Sequence, residues 1–330
     1  MAVLINNTDI TSVYGAIIEN GGYDGIVGWP GVKAVDTNDW HEQEGIEADL
    51  SALKLSAHQF TMKFGLRYSS PVQIEAFYRL LGSSPKVTYA DDTIGVVKTL
   101  RVESMSSLRC ARRLSLLSVK FSCDENPLEG YTRAALVGGL CPENNELKID
   151  DHPFSDYGFR ILDGTYNSLL KFGPVKSSLL RNPSTTHGAE YDQNPLLWNG
   201  TEWVRSNSSD EVRIGPFQVS INLGIVAPNL NAFWTNYKAL LYDLIKQNPA
   251  ETDPLLKCQR ELYVAKLNKI VKCYYGGQSV EEFRILGGGR VWMKFSLTLN
   301  VTKPSEWIDA LLVSEADQLI ETEDGYLILV

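Results

Sequence analysis

The sequence predicts a mainly β protein of the α+β class, built as two diverged copies of one β-rich unit with one helix in each. Three observations carry this. Short matches recur in the same order in both halves, the matched segments alternate apolar and polar residues, and an amphipathic stripe follows the alternation in each copy.

The repeat is read from offsets. Ser12-Val-Tyr14-Gly15 matches Ser155-Asp-Tyr157-Gly158 (158 − 15 = 143), and Gly45-Ile-Glu47-Ala-Asp49 matches Gly188-Ala-Glu190-Tyr-Asp192 at the same offset. Gln59–Leu66 matches Gln218–Ile225 (218 − 59 = 159), which places an insertion in the second copy around Gln193–Ser208. Ala76-Phe77-Tyr78 then matches Ala232-Phe233-Trp234. A repeat this long is a duplicated domain rather than a solenoid unit. The expected division is a first domain over 1–127, a linker over 128–151, a second domain over 152–304 and an extension over 305–330.

Within each copy the elements follow in order. Phe60, Met62, Phe64 and Leu66 alternate, as do Phe217, Val219, Ile221, Leu223 and Ile225, so each run is a strand with one buried face. Gly215-Pro216 marks a bend before the second run. Ser69-Ser70-Pro71 opens a helix that carries Ile74, Phe77, Leu80 and Leu81 and stops at Gly82. Asn229 opens a longer one through Leu230, Phe233, Trp234, Tyr237, Leu240, Leu241, Leu244 and Ile245, with Asn248-Pro249 as its end. Strands are expected at Lys86–Tyr89, Ile94–Ser104 and Leu114–Ser122, and at Glu261–Tyr274, Glu281–Leu286 and Arg290–Val301, with Asp91-Asp92 and Gly276-Gly277 as turns. Gly21–Gly45 and Lys171–Ser209 are long loops rich in Gly, Pro and Asn, of the kind that are functional or become ordered only against a partner. The end reads as a short helix, Glu306–Val313, and a hairpin around Glu323-Asp324-Gly325.

The chain has 330 residues and a formal net charge of −9, a balance that disfavours wrapping nucleic acid or docking on an anionic membrane. The N-terminus lacks the basic and apolar regions of a secretion signal, and no apolar run is long enough to span a bilayer. Five cysteines without a C-x-x-C pair read as reduced thiols.

The search for chemistry finds little. The sequence has no H-E-x-x-H, G-x-S-x-G or Walker-type motif, and Gly287-Gly-Gly289 precedes a strand and so reads as a turn. No catalytic residue and no cofactor is expected. Glu47 and Asp49, with Glu190 and Asp192, could lie on one strand face and hold a hard cation; the simpler reading is an acidic edge or a cap. Asp150-Asp151-His152 reads as a solvated turn. Trp29, Trp40, Trp198 and Trp203 fall in the long loops, where they are candidates for a protein interface or for core burial, and alternatively for stacking on a glycan.

The order strand, long loop, strand, helix, strand hairpin resembles the tail-tube unit shared by the tail tubes, distal tail proteins and baseplate hubs of phages. The residues that carry it are Gln59–Gly82, Gln218–Lys246, the run Asn38-Asp-Trp40-x-Glu42-x-x-Gly45-x-Glu47-x-Asp49-Leu50, and the ending Glu321–Val330. The resemblance implies a β-sandwich or split barrel beside each helix, without catalytic residues. It also implies rings in which sheet edges of neighbouring subunits join, as a trimer with pseudo-sixfold symmetry or a hexamer. Other tail proteins would be the partners, DNA would pass only in transit through an acidic lumen, and nothing would insert in a membrane. The location implied is the virion tail, after synthesis in the host bacterial cytoplasm.

Overall fold

The structure is a computed structural model that describes residues 2–39, 45–67, 70–106, 109–110, 114–165, 175–177, 196–198, 203–205, 212–267 and 269–303. The expected C-terminal helix and hairpin, Trp40, Glu190 and Asp192 lie outside these residues.

The first unit runs β1 (Val3–Ile5), β2 (Thr8–Asp9), α1 (Ile10–Tyr14), β3 (Ala16–Ile18), α2 (Asp24–Val27), β4 (Thr37–Asn38), β5 (Glu47–Ala48), β6 (His58–Arg67), α3 (Pro71–Gly82), β7 (Val87–Asp91), β8 (Val96–Met105), β9 (Arg109–Cys110) and β10 (Leu114–Cys123). The second runs β11 (Leu147–Ile149), β12 (His152–Pro153), β13 (Phe159–Ile161), β14 (Val175–Ser177), β15 (Leu196–Trp198), β16 (Trp203–Arg205), β17 (Val212–Ile214), β18 (Phe217–Ala227), α4 (Leu230–Ile245), β19 (Arg260–Val264), β20 (Lys269–Ile285) and β21 (Val291–Val301).

The chain is mainly β, with two curled antiparallel sheets. One has the order β2-β1-β7-β8-β10-β6-β3, the other β12-β11-β19-β20-β21-β18-β13. Strand for strand these are one path, traced twice. The equivalence holds at the level of single residues. Gly65 pairs with Ile17 and Gly224 with Arg160, so the glycine of the matched segment meets the same edge strand in each unit. Gly15 and Gly158 both have positive φ just before that edge strand. Each unit also begins with a tight hairpin whose two central residues have positive φ, Asn6-Asn7 and Asp150-Asp151, the pattern of a type I′ turn.

Each sheet curls because its fourth strand serves two partners in succession. β8 pairs with β7 over Val96–Leu100 and with β10 from Arg101 onward, and the ladder to β10 skips Glu103. β20 pairs with β19 up to Cys273 and with β21 beyond it, and that ladder skips Gly276 at the corner and Glu281 farther along. An extra residue bends a strand and increases its twist, so the bulges at Glu103 and Gly276 stand at the same corner of the two sheets. β9 takes the place of the far part of β20: Cys110 lies opposite Ser115 as Phe283 lies opposite Met293.

The helices form where the sequence places their caps. Ser70 and Gln73 make a reciprocal capping box with Pro71 in the first turn, and Asn229 accepts a bond from Ala232 N at 2.9 Å. The second helix ends at Ile245, three residues short of Asn248-Pro249, because the carbonyls of Leu244 and Lys246 turn to a buried arginine, Arg260.

Three expectations need correction. Glu261–Tyr274 is not one strand: a 3₁₀ turn at Ala265–Leu267 folds it into the hairpin β19–β20. Gly276-Gly277 is not a turn but a bulge inside β20, where a Cβ on Gly276 would come within 2.8 Å of the Asn300 amide. Leu147–Ile149 is not linker, since it pairs with β19 as part of the second sheet, so that unit starts before residue 152. The rest of the connection is tied down as well. Buried Asn236 on α4 accepts from Val137 N at 2.8 Å and donates to Val137 O at 2.9 Å and Tyr157 O at 3.0 Å. One apolar core runs through both units, from Ile5 and Phe64 to Phe233 and Leu299.

Candidate functional site

The loop after β3 contains much of what joins the units. It leaves the first sheet, forms α2 and lies along the outer margin of β20. Asp24 accepts from Phe283 N at 2.8 Å, and Val32 N donates to Gly276 O at 3.2 Å. Between them Trp29 is only 4% exposed and stacks on Tyr237 of α4, with ring centroids 3.7 Å apart and planes at 18°. Tyr237 donates to Val27 O at 3.2 Å and Tyr275 to Pro30 O at 3.0 Å, which satisfies loop carbonyls that burial would otherwise leave costly. Trp234 closes the junction from the other side by donating to Ile94 O at 2.8 Å. Farther along, Ile46 N donates to Thr302 O and Leu50 exchanges bonds with Leu255 and Cys258. The partner that orders the described part of the Gly21–Gly45 loop is therefore the second half of the same chain.

Trp29 is thus a core residue rather than one offered to another molecule. The backbones of Trp198 and Trp203 face each other across the β15–β16 ladder. Glu47 and Asp49 are both exposed, with buried Ala48 between them. Asp49 caps a turn by accepting from Ser51 N at 3.0 Å; a bond from the Ser51 hydroxyl, and then this one, hold its carboxyl below the usual value. Among the described residues no three His, Cys, Asp or Glu side chains converge as metal ligands would. Cys123, Cys258 and Cys273 are buried and free, and Cys141 is half-buried and free.

A cavity of about 380 Å³ lies at the junction, lined by Trp29, Pro30, His58, Lys98, Trp234 and Lys238 among others. His58 donates from Nε2 to Gly25 O at 2.7 Å, and burial pushes its pKa down to about 4, so the ring is neutral at physiological pH. Lys98 donates to Ile26 O at 2.6 Å, and burial lowers its pKa too. Both groups hold carbonyls of α2 and so position the loop that carries Trp29.

A second polar cluster caps α4. Burial works against ionised Asp243, but hydrogen bonds from Arg133 (2.7 Å), Lys246 (2.9 Å) and Tyr157 (2.8 Å) outweigh it and leave its pKa lowered. Arg260, 1% exposed, pairs with Asp150 at 2.8 Å while holding the last carbonyls of the helix. These groups are fully engaged in holding the fold.

The two margins differ. The outer margin of β20 is sealed by the loop. In the first unit, no described residue pairs with the outer margin of β8 from Arg101 to Met105 beyond the end of β7. Arg101, Glu103 and Ser104 are exposed there. The helical stripes and the strand pattern were visible in the sequence; this difference between margins was not, because it depends on contacts between residues some 250 positions apart.

No protein-family model matches the chain, and no curated protein matches it. Among solved structures it is similar to the crystal structure of the Dit protein of SPP1, described as a paradigm of the hub adsorption apparatus in phages that infect Gram-positive bacteria; the match has 8% sequence identity and a TM-score of 0.30 and covers 92% of this chain and 98% of that one.

Proposed function

We propose that the chain is a non-catalytic structural subunit of a phage or phage-like tail, at the tail tip or baseplate, which closes rings with copies of itself. The observation that supports this reading best is the duplicated sheet path: one unit has its bulged margin covered, and the other presents the same margin without a pairing strand or loop among the described residues. Open margins are hazardous in a monomer and serve as joints in an assembly. Two equivalent units per chain suit a ring whose apparent symmetry is twice its subunit number, and the net charge of −9 suits a lumen through which DNA slides without sticking. The residue pattern of Gln59–Gly82 and Gln218–Lys246, which resembles tail-tube units, supports the tail as the setting.

Light scattering on the purified protein at roughly tens of micromolar tests the reading, since stable oligomers persist at such concentrations. A closed oligomer of defined mass is expected. A strict monomer would overturn the ring, and one that also fails to bind co-expressed tail proteins would overturn the tail setting as well.

A further inference from the structure

We infer that the junction between the two units is repeated between chains: the open margin of β8 receives the long loop of the second unit of another copy. This rests on the self-association proposed above and adds which surfaces meet.

The argument is one of equivalence. In the first unit the docking loop is rooted in a bridge between Val32 and Leu55, and Val32 donates to Gly276 on the neighbouring unit. In the second unit β14 pairs with β17, with Val175 opposite Ile214. The offsets (175 − 32 = 143; 214 − 55 = 159) are those of the matched segments on either side. The second unit therefore builds the same root for the same kind of loop. Among the described residues, the uncovered counterpart of the margin that the first loop grips is the one on β8.

The receiving surface is also equivalent. Gly276, the bulge residue that accepts from Val32, corresponds to Glu103, the bulge residue of β8. The three atoms nearest a Cβ on Gly276 would belong to the Asn300 side chain across the ladder; Asn300 corresponds to Ser122, which is smaller and leaves room for the Glu103 side chain. A Cβ on Gly277 would lie at ordinary contact, 3.5 Å, from Gly31 Cα. The corresponding residue is Ser104, exposed and small enough for the same approach. Joining Val175 of one copy to Glu103 of the next is a heterologous, head-to-tail contact, and such contacts close into rings when the rotation permits.

Two variants test this by complementation. Ser104→Arg fills the margin at an exposed site. The second variant replaces Lys171–Ser209 with a short Gly-Ser linker and leaves the margin intact. Each alone is expected to be monomeric, with at least a tenfold rise in the concentration needed to assemble, and with the circular dichroism and melting temperature of an isolated full-length chain. Mixed, they are expected to form a 1:1 dimer and nothing larger, because one sound loop then meets one sound margin. Native mass spectrometry reads the result. If Ser104→Arg assembles like the unaltered chain, or if the mixture stays monomeric, this pairing is wrong while the ring reading stands. If the unaltered chain is itself a monomer, both fail.

Discussion

Asn6 and Asp150 occupy one position in two copies of a hairpin. Each is the first left-handed residue of its turn, and each accepts from a backbone amide of the neighbouring strand, Asn6 from Thr88 at 2.9 Å and Asp150 from Glu261 at 3.0 Å. Each also donates its own amide to that strand, to Thr88 O and Glu261 O. The two differ in one respect: only Asp150 also carries a salt bridge, to Arg260.

That difference predicts unequal costs. Asn6→Ala should lose about 2 kcal/mol, roughly one from left-handed strain and one from the lost hydrogen bond. Arg260→Met removes the partner of a buried charge and the ligand of two helix-end carbonyls, and should cost about 3–5 kcal/mol. Urea unfolding of the two variants checks the order, and equal losses would contradict the role assigned to Arg260.

Trp29→Ala should destabilise both units together. The indole is buried and stacked on Tyr237, so its loss should cost about 3–5 kcal/mol. Because the core is continuous, calorimetry should show a single transition moved to lower temperature. Two separated transitions would mean that the units are independent.

His58 gives the protein an acid-sensitive window. Its pKa falls from the ordinary 6.5 to about 4 on folding, so between those values the unfolded chain binds more protons and stability drops as pH falls. The full effect is about 3 kcal/mol, present above pH 6.5 and lost on acidification to about pH 4. His58→Gln, which keeps a donor for Gly25 O, should flatten that part of the stability curve when unfolding is measured at pH 7, 5.5 and 4.5.

Gly45→Ala should be costly, since Gly45 is buried where the acidic run begins. Its φ is +67°, and a Cβ there would stand 1.8 Å from Thr302 O, the acceptor of Ile46 N. Strain and a lost bond together amount to about 2–3 kcal/mol. A variant of unchanged thermal midpoint would refute this account of the glycine.

Much of this architecture is legible in the sequence because local rules act on it directly. Alternation around Phe60–Leu66 and Phe217–Ile225 gives the central strands, and Ser70, Pro71 and Asn229 give the helix starts. The equivalence of Gly15 with Gly158 and of Gly65 with Gly224 follows from the offsets alone. What could not be read is set by distant partners. Gly276-Gly277 has the composition of a turn and becomes a bulge because β21 holds the backbone on both sides of it. Trp29 sits in a loop by composition and in the core by virtue of Tyr237, which lies in the other half. The equivalence of Asn6-Asn7 with Asp150-Asp151 was within reach, since both pairs suit left-handed backbone, but the residues differ and no identity flags them.

The long reach of the α2 loop has a consequence for biosynthesis. Trp29 and Pro30 leave the ribosome early, whereas Tyr237 and Tyr275, their seats, emerge some two hundred residues later. At translation rates of about 5–20 residues per second, that is an interval of ten seconds or more in which an indole side chain has no native cover. Nascent chains of this protein are therefore natural clients for holding chaperones, and polypeptides truncated before α4 are the species from which aggregates should grow.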